Sequence, residues 1–181
     1  MEIVYALLII LILACLSVIV YIFYYNKLQD CKLKIDESEN IIDERLRNKY
    51  DLLVNISKVI EDHVKDEKIS FKELNDLKEM EISNFDLDRK LNEFVNLINT
   101  INNDYKELDD IDEYSNLLDK IKRVDEELTA AKKFYNTYIG DSNELVRKFP
   151  SNIVAKFHNI KLKNFFDGKD MNDEIIKDFK L

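Results

Sequence analysis

The sequence predicts an all-α protein. An amino-terminal transmembrane helix is expected to lead into an elongated antiparallel up-and-down bundle of three long helices and a short carboxy-terminal one. Three observations carry this. Two Gly and one Pro in 181 residues are too few for the tight turns and positive-φ positions of all-β or Rossmann-type folds. From residue 26 on, apolar residues recur at spacings of three and four, with no useful period-2 run. Before that, Ile3 to Tyr25 form a run in which Ser17 alone is polar, so the rest of the chain is leaner in apolar residues than the overall 46%. The expected division is a membrane anchor over 1–25, a bundle over 26–167 and a flexible tail over 168–181.

As a helix the apolar run reaches about 34 Å, enough for a hydrocarbon core of about 30 Å with some tilt. Tyr21, Phe23, Tyr24 and Tyr25 gather at one end, where amphipathic rings favour the headgroup level. A cleaved signal needs a basic start, which Met1-Glu2 lacks, and a shorter apolar core. A lipoprotein box can be read at Ile12-Leu13-Ala14-Cys15. Leu13 is unusual there, and lipidation of Cys15 would leave most of a membrane segment in place. The lipid bilayer is therefore the expected partner of residues 3–25, as an uncleaved single-pass anchor. Lys27, Lys32 and Lys34 follow the run and no Lys or Arg precedes it. The positive-inside bias then puts the amino terminus outside and the bundle in the cytoplasm. Two Cys exclude a disulfide framework, and Cys31 reads as an exposed thiol in a reduced compartment.

The first bundle helix shows Ile42, Leu46, Leu53, Ile56 and Ile60 on one face. Between about Lys65 and Ser83, Phe71, Leu74 and Leu77 suggest helix while the charge density suggests a mobile extension. The second helix carries Leu87, Leu91, Phe94, Ile98, Ile101, Tyr105 and Leu108, with Ser83, Asn84 or Asp86 as its cap. Asp109-Asp110-Ile111-Asp112 reads as a turn that places carboxylates at the next amino end, where the helix dipole favours them. The third helix runs in heptad steps through Leu117, Ile121, Val124, Leu128, Ala131, Tyr135, Tyr138, Ser142, Leu145 and Phe149, the spacing of a coiled-coil seam. Gly140 should interrupt it off the seam. Pro150 should stop it after Phe149, and Ser151 should cap a short helix through about Lys161. The tail from Gly168 should fray.

Two stretches resemble the LemA family of bacterial membrane-anchored helical proteins. One is Tyr25-Asn26 followed by Ile42-Asp43-Glu44-Arg45-Leu46-Arg47-Asn48-Lys49-Tyr50-Asp51-Leu52-Leu53-Val54-Asn55-Ile56. The other is Phe134-Tyr135-Asn136, then Asn143, then Phe149-Pro150-Ser151-Asn152-Ile153-Val154-Ala155. The resemblance covers about residues 25–67 and 117–166. Val54 replaces the family's usual Pro, Asn48 and Lys49 replace a basic pair, and Asp66 replaces a His. It implies one amino-terminal membrane helix, a long up-and-down bundle and no established enzymatic activity. Members often lie beside membrane peptidase genes, which makes a membrane peptidase the implied protein partner.

The matched polar residues fall into stripes. Asp125, Lys132, Asn136 and Asn143 step by seven, four and seven, beside the seam of the third helix. Asp43, Arg47, Asp51 and Asn55 step by four along the first, where Arg47 can reach a carboxylate one turn away on either side. If the stripes face each other, Asn55 and Asn136 form a buried pair that sets helix register. The competing reading is that these charges are solvated faces.

No catalytic constellation assembles. The two histidines, His63 and His158, are not in a metalloprotease spacing, and two Gly cannot build a phosphate-binding loop. His63 with Asp66 and Glu67 is the best metal-binding set and supports an alternative reading as a metal-binding or hydrolase accessory protein. Otherwise no enzyme activity and no cofactor are expected. The net charge of −9 disfavours nucleic acid, while the heptads allow a homo-oligomer. Lys156, Lys161 and Lys163 alternate with Phe157, Leu162, Phe165 and Phe166. Those aromatics are expected to pack on the bundle, the other option being contact with an anionic membrane surface.

Overall fold

The structure, a computed structural model, describes residues 1–64 and 69–166. Every regular element among them is helical. α1 spans Glu2–His63 and α2 spans Lys72–Asp76, which leads into a 3₁₀ turn at Leu77–Glu79. α3 spans Asn84–Asp104 and is followed by a second 3₁₀ turn at Lys106–Asp110. α4 spans Asp112–Arg147 and α5 spans Ser151–Phe157. The expected all-α class is therefore observed. The apolar run and the first bundle helix are one unbroken element of 62 residues, since no Gly or Pro precedes Gly140. The expected tail at 168–181, including Gly168, lies outside the described residues.

The described residues divide into two units, one of Met1–Glu37 with Tyr135–Phe165, the other of Ser38–Phe134 with Phe166. In the first unit, residues 1–23 expose their side chains; α1 is the one described helix long and apolar enough to cross a membrane. Burial begins at Leu28 and Cys31, which pack with Leu145, Val154 and Ala155, and with Tyr24, Tyr25, Val146 and Ile160 at the edge. Cys31 is thus a core residue and not the exposed thiol expected. Burial, then the charges of Asp141 and Asp30, push its thiol pKa up; a small apolar side chain with a weak donor packs there without loss.

α4 ends at Arg147, two residues earlier than expected, because a residue preceding proline is disfavoured in the α region. Phe149 leaves the seam and is 79% exposed, correcting its expected place as the last seam residue. Ser151 is buried and its Oγ donates to the Lys148 carbonyl at 2.8 Å, so it opens α5 without capping it. The short helix stops at Phe157, not Lys161. Asn159 adopts φ of 53°, its N–H bonds the Lys156 carbonyl, and the Ile160 N–H bonds the Ala155 carbonyl. This is a Schellman closure, with Asn tolerating the left-handed position. Gly140 does not interrupt α4, which continues through it.

In the second unit α1 buries Ile42, Leu46, Leu53, Ile56 and Ile60, as the spacing predicts. Each such side chain contributes about 1.5–3 kcal/mol of burial. Phe71, Leu74 and Leu77 are buried as well, so α2 and its 3₁₀ turn pack and are not a mobile extension. Ser83 caps α3: its Oγ accepts the Asp86 N–H at 3.1 Å and donates to the Asp86 carboxylate at 2.6 Å. Asp112 and Glu113 occupy the first turn of α4, as the dipole argument requires.

Candidate functional site

The most distinctive feature of the second unit is a set of lysine–carboxylate pairs joining its helices. Lys49 occupies the α1 position between Leu46 and Leu53, completing the steps 42, 46, 49, 53, 56 and 60. It is 0% exposed, and its Nζ donates to Asn92 Oδ1 on α3 at 2.6 Å and to Asp125 Oδ1 on α4 at 2.5 Å. Burying an ammonium without such partners would be prohibitive. Asp88 on α3 is 5% exposed and accepts from Lys132 Nζ of α4 at 2.6 Å, while the same ammonium lies 5.5 Å from the Phe166 ring centroid. The second carboxylate oxygen of Asp88 is buried without a hydrogen-bond partner among the described residues. At the margin, Arg45 Nε meets Glu127 at 2.7 Å.

The predicted stripes fare differently. On α4, Asp125 and Lys132 are the partners that reach α1 and α3. Asn143, in the first unit, is buried and holds the chain at Lys163 from both sides: its Nδ2 donates to the Lys163 carbonyl at 2.8 Å and its Oδ1 accepts the Lys163 N–H at 2.9 Å. Asn136 is half-buried on α4. On α1 the expected stripe is corrected. Arg47 is exposed and pairs with Asp43 one turn back at 3.0 Å, Asp51 is exposed, and Asn55 is exposed. Asn55 therefore cannot be half of a buried asparagine pair. The physical reason is rotation: each step of four advances about 40° beyond a full turn, which carries the stripe off the seam by its end. Lys49, Asn92 and Asp88 were missed. The signal for Lys49 was the polar gap at a heptad position in α1; the expected α3 register from Leu87 to Leu108 is apolar throughout and gives none for Asp88 or Asn92.

Asp43, Arg47 and Asp51 do share one feature. With Tyr50, Leu77 and Met80 they line a groove of about 420 Å³ on the second unit. Burial, followed by the charges of Asp51 and Glu79, raises the Tyr50 phenol above its ordinary pKa. Chemically the groove offers an apolar floor, two carboxylates, one guanidinium and the Lys78 ammonium. Tyr114 is fully buried at the start of α4, its hydroxyl has no partner among the described residues, and burial with nearby Asp109 pushes it up to about 12. His63 ends α1 and donates from Nδ1 to the Val59 carbonyl at 2.8 Å. Asp66 and Glu67, its expected companions, lie outside the described residues. Among the described residues no three His, Cys, Asp or Glu side chains are grouped to hold a metal ion.

Comparison with known proteins agrees with the motifs. No curated protein matches the chain. The model of the LemA family matches residues 38–177, a span that contains both polar stripes, the Phe149-Pro150-Ser151-Asn152 signature, and the Lys49 and Asp88 pairs. The chain belongs to the LemA family.

Proposed function

We propose that this LemA-family chain is a single-pass membrane protein whose bundle acts as a scaffold, docking another membrane protein without catalysing a reaction. The observation that carries the reading is α1 itself. The exposed apolar residues Ile3 to Phe23 continue in the same helix into the seam residues from Ile42 to Ile60. A span built this way serves to hold a folded helical body at a bilayer. The paired positions favour an antiparallel up-and-down arrangement: from Arg45 to Lys49 along α1 the α4 partners fall from Glu127 to Asp125. Along α3, Asp88 meets Lys132 of α4, and Asn92, one turn on, shares the Lys49 ammonium with Asp125 of α4. The amino terminus lies outside and the bundle in the cytoplasm, following the lysines after residue 25.

The groove lined by Asp43, Arg47, Tyr50, Asp51, Leu77 and Met80 is the proposed docking face. Its apolar floor, rimmed by two carboxylates and by the Arg47 and Lys78 cations, suits a partner segment with an apolar anchor and charges of both signs; a membrane peptidase is the partner the family implies. The test is a photo-cross-linking amino acid at Asp51 in intact cells, with a second at Glu126 on the exposed side of α4. The reading expects an adduct to one other membrane protein from position 51 and none from 126. Adducts of two copies of this chain, or equal capture from both sites, would replace docking with self-assembly or non-specific contact.

A further inference from the structure

The first unit carries a second apolar surface that neither the anchor nor the core explains. Ile153 and Phe157 lie one turn apart on α5, and Phe149 precedes it by the same interval. They are 61%, 78% and 79% exposed, while Ser151, Val154 and Ala155 on the other side of the helix are buried. Single exposed apolar residues are ordinary, but two on one side of so short a helix, with a third just before it, mark an interaction surface.

Its surroundings identify the occupant. Phe157 stands edge-on to Tyr21 with centroids 6.4 Å apart, and the next residue, His158, is 2.7 Å from the Tyr21 hydroxyl through Nε2 and 4.7 Å between centroids from Tyr25. Tyr21 lies four residues inside the apolar run, about 6 Å along the helix from Tyr25. The α5 edge is therefore held at the level where the aromatic end of the span meets headgroups. Lys156 and Lys161 are exposed nearby, cations of the kind that meet an anionic headgroup layer. Leu162 and Phe165 are also exposed, although the Phe165 ring lies beside Gly140 of α4, and Phe166 is buried; of the aromatics expected to pack on the bundle, Phe166 does so fully and Phe165 in part.

We propose that the Phe149–Ile153–Phe157 edge is a second membrane contact, seated in the headgroup–acyl boundary of the bilayer that the Ile3–Tyr25 span crosses. The insertion resembles that of an interfacial amphipathic helix, with Tyr21 and His158 tying it to the span. This rests on the membrane reading above, and the test separates the two. Full-length protein is reconstituted into phosphatidylcholine–phosphatidylglycerol vesicles with a polarity-sensitive fluorophore on one cysteine at a time. The sites are native Cys15 within the span, Ile153→Cys, Phe157→Cys and, as a control, Glu126→Cys, all with Cys31→Ala and the last three also with Cys15→Ser. Lipids brominated deep or near the headgroups serve as quenchers.

Cys15 should be quenched by deep bromines, positions 153 and 157 by shallow ones with a blue-shifted emission, and position 126 by neither. Water-like, unquenched emission at both 153 and 157 alongside a quenched Cys15 overturns the α5 contact and leaves the span standing. An unquenched Cys15 overturns the span itself. A blue shift at 153 that tracks protein-to-lipid ratio, with no bromine quenching, means that a second copy covers the edge and also overturns the proposal. Two α5 positions are used so that local disruption at one does not decide the result.

Discussion

Lys49 is the residue on which the second unit turns, because among the described residues it is the one ammonium fully enclosed at a helix seam. Its partners are unequal: Asp125 keeps about a third of its side chain in water, whereas Lys49 keeps none. Removing the acid should therefore hurt more than removing the base. Asp125→Ala leaves the buried ammonium with Asn92 alone and should lower stability by about 3 kcal/mol, within the range for broken buried pairs. Lys49→Met replaces it with an apolar chain of similar length and should be within about 1 kcal/mol of the parent or above it. Chemical denaturation of the three proteins measures both. Equal losses for the two would mean that the pair is solvated and contributes as a surface bridge does.

Tyr114 offers a second residue-scale outcome with a defined pH window. Its folded pKa is raised to about 12 against an unfolded value near 10, so the folded state favours the neutral phenol. That stability is fully present below about pH 10 and is lost as the pH climbs toward 12, where the unfolded chain ionises first. Tyr114→Phe removes both the titration and an unpaired buried hydroxyl. It should leave stability at pH 7 unchanged or higher and flatten the fall above pH 10, as read by thermal melts across that range.

Helix ends and interruptions decide the elements. Ser83→Ala removes the acceptor for the Asp86 N–H and should destabilise by about 1 kcal/mol. Gly140 sits inside α4, and an added Cβ there would meet only Phe165 Cε1 at an ordinary 3.8 Å. Gly140→Ala should therefore stabilise by about 0.5–1 kcal/mol, visible as a raised melting temperature.

This is also the scale at which the sequence was most informative. The three-and-four spacing located α1, α3 and α4, and the acidic cluster at Asp109–Asp112 located a helix start. The packed stretch from Phe71 to Leu77 was half legible, since three apolar residues among many charges suit a short packed helix as well as an extension. The end of α5 was not read, because it depends on Asn159 taking a left-handed conformation, which one Asn in a polar stretch does not announce. The candidate site was legible on α4, where steps of seven, four and seven return to the same face. It was misread on α1, where steps of four drift. A lysine inside an apolar heptad looks like a gap until its partners on other helices are known, so Lys49, Asp88 and Asn92 required the tertiary structure.

For the whole molecule, composition separates two jobs that α1 joins. One stretch is apolar and exposed on all sides, which water does not tolerate over such a length and a bilayer does. The other is acidic outside and apolar inside, with charges at the seam held in ion pairs. The family supplies membership; the proposed role of a membrane-held docking body rests on this arrangement.

Sidedness tests it most directly. A membrane-impermeant maleimide is applied to intact cells that express Glu2→Cys or Glu126→Cys in the full chain with Cys15→Ser and Cys31→Ala, before and after permeabilisation. The account predicts labelling of position 2 in intact cells and of position 126 only after permeabilisation. Labelling of position 126 in intact cells would put the bundle outside and contradict the account.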